Sequence, residues 1–236
     1  MTPPGPVALV GSGEYLPVMD DVERGLLAGR PSVWVQLATA AAPEGQGSLA
    51  RWHGQGAQAA DRLGVTQVVV PVVDRVSADD EAIAGLVQGA GLVYLSGGNP
   101  TFLAETLAGT RTWAAIHAAW QAGAALAGCS AGAMALAGQV ARIRGPIGHP
   151  VTGLGVVPGV VVLPHFDKMA GRVPDVVLRG LLSTHGLMVL GIDEDTAVVG
   201  DPGTGEPWRV QGRQSAWVLT PDGRVEHPAG SEITLP

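Results

Sequence analysis

With one cysteine, Cys129, the chain can form neither an internal disulfide nor a cysteine-built metal cluster. Its histidines (His53, His117, His149, His165, His185 and His227) never fall at the His-x3-His spacing of a metal-binding helix. No metal and no cofactor is therefore expected. Lysine occurs once, at Lys168, there is no run of Lys and Arg, and the net charge is -7, which argues against a nucleic-acid surface. No stretch reaches the roughly 18 apolar residues of a membrane span. The opening Met1-Thr-Pro-Pro-Gly-Pro has neither the basic flank nor the apolar core of a signal peptide. A soluble, cytoplasmic protein is the expectation.

What is present is material for a core. With 46% hydrophobic and 15% charged residues, the 236-residue chain suits a single α/β domain spanning residues 1–236. Short apolar runs at 7–10, 33–38, 66–73, 92–95 and 124–127 read as strands covered on both faces. Between them lie helical patterns at 48–63, 79–88, 101–107 and 110–121; in the last, Trp113, Ile116 and Trp120 are spaced for a core face. Alternation of this kind specifies a doubly wound, mostly parallel sheet between helical layers, with ligands at the strand carboxyl ends. Later segments read as strands at 160–163 and 187–192 and a helix at 174–182. Small antiparallel strands at 197–199, 208–210 and 216–219 then close the chain, with turns at 201–203 and 221–223. The Gly- and Pro-rich stretch 142–158 reads as irregular or hairpin-like.

Three glycine turns follow predicted strands and so share one rim. Gly11-Ser12-Gly13-Glu14 is the first; with Leu at position 16 it lacks the third glycine of a dinucleotide fingerprint. Ser96-Gly97-Gly98-Asn99 is the second. The third, Gly128-Cys129-Ser130-Ala131-Gly132, has the Gly-x-Ser-x-Gly pattern of a nucleophile elbow, a strand turned into a helix so tightly that the serine is strained and lifted clear. A serine hydroxyl needs a base, and His165 directly follows an apolar strand, placing it on the same rim. A carboxylate must orient the imidazole, yet no Asp or Glu lies between Ser130 and His165. The rim acids Asp167, Asp193, Glu194 and Asp195 remain. Glu194 is favoured for its reach, while Asp167 sits too near His165 in sequence and suits a backbone turn or a substrate amine. Ala131 and Gly98 are the natural amide donors for an oxyanion. Cys129, one position off the elbow tip, should point into the core.

On these residues the chain resembles the dipeptidase E and cyanophycinase family of serine peptidases. The motifs Gly-Ser-Gly-Glu at 11–14, Gly-Gly-Asn-Pro-Thr-Phe at 97–102, Gly-Cys-Ser-Ala-Gly-Ala at 128–133, Pro-His-Phe-Asp at 164–167 and Gly-Ile-Asp-Glu-Asp-Thr-Ala at 191–197 occur in order. The resemblance implies a class I glutamine amidotransferase-like (flavodoxin-like) fold, Ser130 as nucleophile, His165 as base, and Gly98 with Ala131 as oxyanion donors. It also implies Glu194 as the acid, as in the cyanophycinase branch. Leu163-Pro164 and Pro100 depart from the cyanophycinase pattern, and the Gly-Gly-Asn-x-Thr-Phe stretch leans towards dipeptidase E, whose members remove an N-terminal aspartate from short peptides. Substrate contacts are expected from Glu14, Asn99, Asp167, Lys168 and Arg172, with Lys168, Arg172 or Arg179 as the cation for an acidic side chain. Alternatives are an esterase or amidase with the same triad, and a non-catalytic protein binding a small ligand on this scaffold. A homodimer is compatible with such a fold, although no residue points to one.

Overall fold

The computed structural model describes residues 3–141, 151–169, 186–220 and 223–236. The expected helix at 174–182, the turn at 221–223, and His149, Arg172, Arg179 and His185 fall wholly or partly outside these residues.

The chain runs β1 (Val7–Val10), α1 (Asp20–Leu27), β2 (Val33–Leu37), α2 (Gln46–Leu63) and β3 (Thr66–Val69). It continues through two short helices, α3 (Arg75–Ala78) and α4 (Glu81–Gly85), to β4 (Leu92–Leu95), α5 (Pro100–Leu107), α6 (Arg111–Gln121), β5 (Ala125–Cys129) and α7 (Ala131–Leu136). Then come β6 (Ala137–Val140), β7 (Val151–Thr152), β8 (Val157–Leu163), α8 (Phe166–Met169), β9 (Met188–Ile192) and β10 (Thr196–Gly200). The chain ends with β11 (Trp208–Gly212), β12 (Ser215–Thr220), β13 (Gly223–Pro228) and β14 (Glu232–Ile233).

An eight-stranded sheet has the order β14-β11-β10-β1-β5-β4-β2-β3, and a second, six-stranded sheet the order β13-β12-β9-β8-β6-β7. In the first, β1, β5, β4, β2 and β3 are parallel and β10, β11 and β14 antiparallel. Alternate residues serve its two faces. Val7, Leu9, Val35, Val93 and Leu126 face α5, α6, α7 and the second sheet, while Ala8, Val10, Trp34, Tyr94 and Ala127 pack with α1 and the inner side of α2. Helices thus cover both faces, as the near-continuous apolar strands require.

The register makes the rim. Val10 lies opposite Cys129, Gly128 opposite Leu95, and Leu95 opposite Leu37, so the four central strands β1, β5, β4 and β2 end within one residue of each other. The elbow's glycines are required by close approach: a Cβ on Gly128 would collide with Gly132, and one on Gly132 with the backbone of Leu95.

Three expectations need correction. The strand expected over 66–73 stops at Val69 and forms the sheet edge, with Thr66 exposed, so it is not covered on both faces. The helix expected over 79–88 is the shorter α4, capped by the Asp80 carboxylate accepting from Ile83 N–H; a separate α3, not expected, precedes it and is capped by Asp74, which accepts from Ser77 N–H. The helix after the elbow ends at Leu136. The chain turns there into β6, which pairs in parallel with β8 in a second sheet that the sequence pattern had not separated from the first.

Candidate active site

Ser130 links β5 to α7 with φ 50° and ψ −108°, outside the regions ordinary residues occupy. Its amide donates to Val10 O at 2.9 Å, which anchors the turn to β1. Ala131 is the first residue of α7, so its N–H belongs to the opening turn of donors that has no intrahelical acceptor. With Ser130 itself only partly covered, its hydroxyl is reachable from solvent.

His165 stands at the end of β8, also with positive φ (51°). Its Nε2 lies 3.1 Å from Ser130 Oγ, and its Nδ1 lies 3.0 Å from Glu194 Oε1. The Ser–His–Glu constellation expected from the sequence is therefore assembled in space from residues 35 and 29 positions apart. The order Nδ1 to carboxylate and Nε2 to hydroxyl is the one that lets imidazole take the serine proton while the acid holds its other side.

The neighbouring acids are occupied elsewhere. Asp193 is buried; its oxygens accept from Trp217 Nε1–H at 3.0 Å and from Ser215 N–H at 3.2 Å, and burial pushes its carboxyl up against these bonds. Asp195 pairs with Arg213 at 3.3 Å. Asp167 Oδ1 accepts the Glu194 amide at 3.0 Å. Partial burial works to raise the Asp167 carboxyl, but that amide and Lys168 outweigh it and hold it below the usual range. The expected alternative for Asp167, orienting a backbone turn, is what its side chain does here. The Glu194 carbonyl accepts from Gln214 Nε2–H (2.9 Å) and from the Thr196 hydroxyl (3.1 Å), so the residue is held on both sides of its Cα. Sequence reading missed Gln214 and Thr196. Thr196 is marked only by following the acidic cluster, and Gln214 reaches the site from the distant β11–β12 turn.

Of the other expected contacts, Gly98 is exposed beside the elbow with φ 137°, and a Cβ there would collide with the Ala40 carbonyl. Asn99 is exposed, but its side chain caps α5 by accepting from Phe102 N–H at 3.0 Å. Lys168 is not a free cation: its Nζ lies 3.4 Å from Asp167 and 3.6 Å from Glu194 Oε2, and those two carboxylates raise its pKa. Glu14 departs furthest from expectation. It is 8% exposed and faces inward, Oε1 accepting from Gly97 N–H (3.0 Å) and Oε2 from the Cys129 thiol (2.7 Å). With both oxygens engaged by the scaffold, it has none turned to a substrate. Cys129 is buried as expected, with burial first and Glu14 second pushing its thiol up and keeping it protonated.

Among the described residues, no group of three or more His, Cys, Asp or Glu is placed to hold a metal ion, and no helix is long and apolar enough to cross a membrane.

Residues 52–205 match the family model described as Peptidase family S51. The crystal structure of a peptidase from an acI-B1 Actinobacterium is 38% identical and superposes with a TM-score of 0.89 over 98% of this chain and 97% of that one. A putative peptidase E protein from Listeria monocytogenes EGD-e shares the fold at 17% identity, with a TM-score of 0.61 over 89% of this chain and 98% of that one. No curated protein matches. The α/β architecture with its mostly parallel main sheet is accordingly the class I glutamine amidotransferase-like fold of peptidase E. The family model covers the elbow, the histidine turn and the acidic turn together, and the chain belongs to peptidase family S51, the serine-type peptidases of the dipeptidase E and cyanophycinase kind.

Proposed function

We propose that the protein is a serine exopeptidase or dipeptidase that hydrolyses short peptides through an acyl-enzyme on Ser130. The single observation that carries this reading is the unbroken path Ser130 Oγ–His165 Nε2, His165 Nδ1–Glu194 Oε1, at 3.1 and 3.0 Å. Ser130 Oγ attacks the scissile carbonyl carbon as its proton passes to His165 Nε2, and Glu194 stabilises the imidazolium so formed. The tetrahedral oxyanion is met by the amides of Ala131 and Gly98. As the C–N bond breaks, His165 returns the proton to the leaving amine. A water molecule, deprotonated by the same imidazole, then attacks the acyl-enzyme ester and restores Ser130.

An N-terminal aspartate is the first substrate side chain to test, on the strength of the Gly97-Gly98-Asn99-x-Thr101-Phe102 stretch. Lys168 is the described cation nearest the triad acid, but its two carboxylate partners already occupy it. The test is hydrolysis of Asp-X, Asn-X, Gly-X and β-aspartyl dipeptides by wild type, Ser130→Ala and Glu194→Gln. Turnover should vanish in Ser130→Ala. Glu194→Gln should lower kcat about 10³- to 10⁴-fold, because the amide cannot stabilise the imidazolium. Full activity in Ser130→Ala would refute the mechanism, and full activity in Glu194→Gln would reassign the acid.

A further inference from the structure

The mechanism above leaves one buried polar cluster unused. Glu14 sits where the three glycine turns converge. It touches the residue before the nucleophile, Cys129, and the residue before the expected oxyanion donor, Gly97. A Cβ built on Gly97 would lie 2.9 Å from Glu14 Oε1 and 3.6 Å from Ser130 Cβ, so the carboxylate and the nucleophile both crowd the space beside Gly97.

Tyr15, next in sequence, adds a second tether. Its hydroxyl shares a 2.6 Å hydrogen bond with Ser96 Oγ. A bulky aromatic residue at φ 66° is a conformational outlier, and it lets two consecutive side chains reach the same turn. On the far side, Asn99 N–H donates to Ala40 O at 2.7 Å. The Gly98 amide thus lies between two peptides that are each held from outside the turn.

Donor and acceptor chemistry explains why the residue is an acid. Both Glu14 oxygens accept, one from an N–H and one from an S–H. A glutamine could satisfy the first only by aiming its NH2 group at the thiol, which gives up its own hydrogen bond and accepts only weakly.

We propose that Glu14 is a positioning residue for hydrolysis: its buried carboxylate ties the Gly97 amide to the Cys129 thiol and so fixes the spacing between the Gly98 donor and the Ser130 nucleophile. This deepens the reading of Ser130 as nucleophile with Gly98 as oxyanion donor, and rests on it. Glu14 does not touch the substrate. Its influence is on the transition state, where a donor displaced by a fraction of an ångström loses most of its value.

The probe is a fluorophosphonate, which forms a phosphonyl adduct on an activated serine and places an oxygen where the oxyanion would sit. Labelling rate and site are read by mass spectrometry, with kcat and KM on the best dipeptide and melting temperature beside them. Glu14→Ala should slow labelling and lower kcat by about 100-fold with KM changed less than about threefold, the scale of losing one oxyanion donor. Glu14→Gln should lose about tenfold, and Cys129→Ala less than about fivefold, the neutral and half-relieved versions of the same contact. The deciding arm is Glu14→Gln combined with Cys129→Ala. Removing the thiol removes this poor donor–acceptor match, and the double variant should be faster than Glu14→Gln alone. A purely structural role would show the coupling of these two contacting residues in melting temperature while kcat and labelling rate stay at wild type, because residues in contact are non-additive whatever their role. Wild-type labelling rates in Glu14→Ala and Glu14→Gln, or losses that simply add in the double variant, would overturn the proposal. A wild-type protein not labelled at Ser130 would remove the parent reading itself, an outcome visible before any Glu14 variant is made.

Discussion

Ser130 and the Gly97–Gly98 turn come from the eight-stranded sheet, where position is set mainly by backbone, with Glu14 and Tyr15 as buried side-chain ties; His165 and Glu194 come from the six-stranded sheet and its link to β10, where position is set mainly by half-buried side chains. On the first side, strand ends are level, glycines press against neighbouring main chain, and the Ser130 amide is bonded to β1. On the second, the acid is held by Asp167 at its amide and by Gln214 and Thr196 at its carbonyl, all of them side-chain groups. The serine thus lies on a support with almost no freedom, while the base and acid lie on one with several replaceable parts. Mutations should therefore act abruptly on the first side and by degrees on the second.

Gly98→Ala should show the larger effect. The new methyl group would collide with the Ala40 carbonyl, and φ 137° is strained for any residue with a Cβ, so the turn must move and carry its amide away. We expect kcat to fall about 100-fold or more, with a smaller change in KM, measured by steady-state hydrolysis of the best dipeptide. A fall of less than threefold would mean that Gly98 is no donor and that the backbone side tolerates change after all. Asp167→Asn probes the other side. The amide can still accept from Glu194 N–H through its oxygen, but it loses its charge and its pairing with Lys168. About a tenfold loss in kcat is expected, with Gln214 and Thr196 still holding the acid. A loss as large as that of Glu194→Gln would show that the support has no redundancy.

The same contrast governs what could be read from the sequence. Strands β1, β2, β4 and β5 were legible because burial on both faces leaves a bare apolar run, and the turns at their ends announce themselves in glycine. His165 and Glu194 were legible as residues at strand ends. In the sequence Glu194 is favoured over its neighbours only for its reach; in the structure the turn after β9 sends Asp193 inward to Trp217 and Glu194 to His165. The second sheet was not legible as a separate body. Ala137-Gly138-Gln139-Val140 looks like the tail of an alanine-rich helix. It is a strand because it pairs with β8 on one side and β7 on the other, and on the β8 side Gly138 packs so closely on Pro158 that a Cβ would not fit. Such pairing has no local signature. Nor does the inward turn of Glu14, which looks in sequence like any acid in a rim loop and is fixed by a thiol 115 positions away.

The smallest effect on activity, and one that isolates the rigid side, concerns Glu23. This carboxyl is 1% exposed on α1, its Oε1 accepts weakly from Tyr15 N–H at 3.4 Å, and its Oε2 has no partner. Burial, reinforced by Asp20 and Glu14 and opposed by the Tyr15 amide and Arg62, pushes its pKa up to about 8. The folded state therefore keeps a proton that the unfolded chain releases near the ordinary value of 4.5. Between those limits the native state binds more protons than the unfolded one, so this group makes stability fall as pH rises, and the loss is complete above about pH 8. Glu23→Gln keeps the shape and removes the titration. Its melting temperature should exceed that of wild type by more at pH 9 than at pH 5, by several degrees for a difference of about 1–2 kcal/mol. Comparing the two proteins at each pH cancels every other group that titrates. Since Glu23 lies behind Tyr15 and away from the triad, kcat should stay within about twofold at pH 7, where wild type and variant are both neutral at this position. A pH-independent difference in melting temperature would mean that the carboxyl is ionised in the fold and that Arg62 compensates it more fully than its burial suggests.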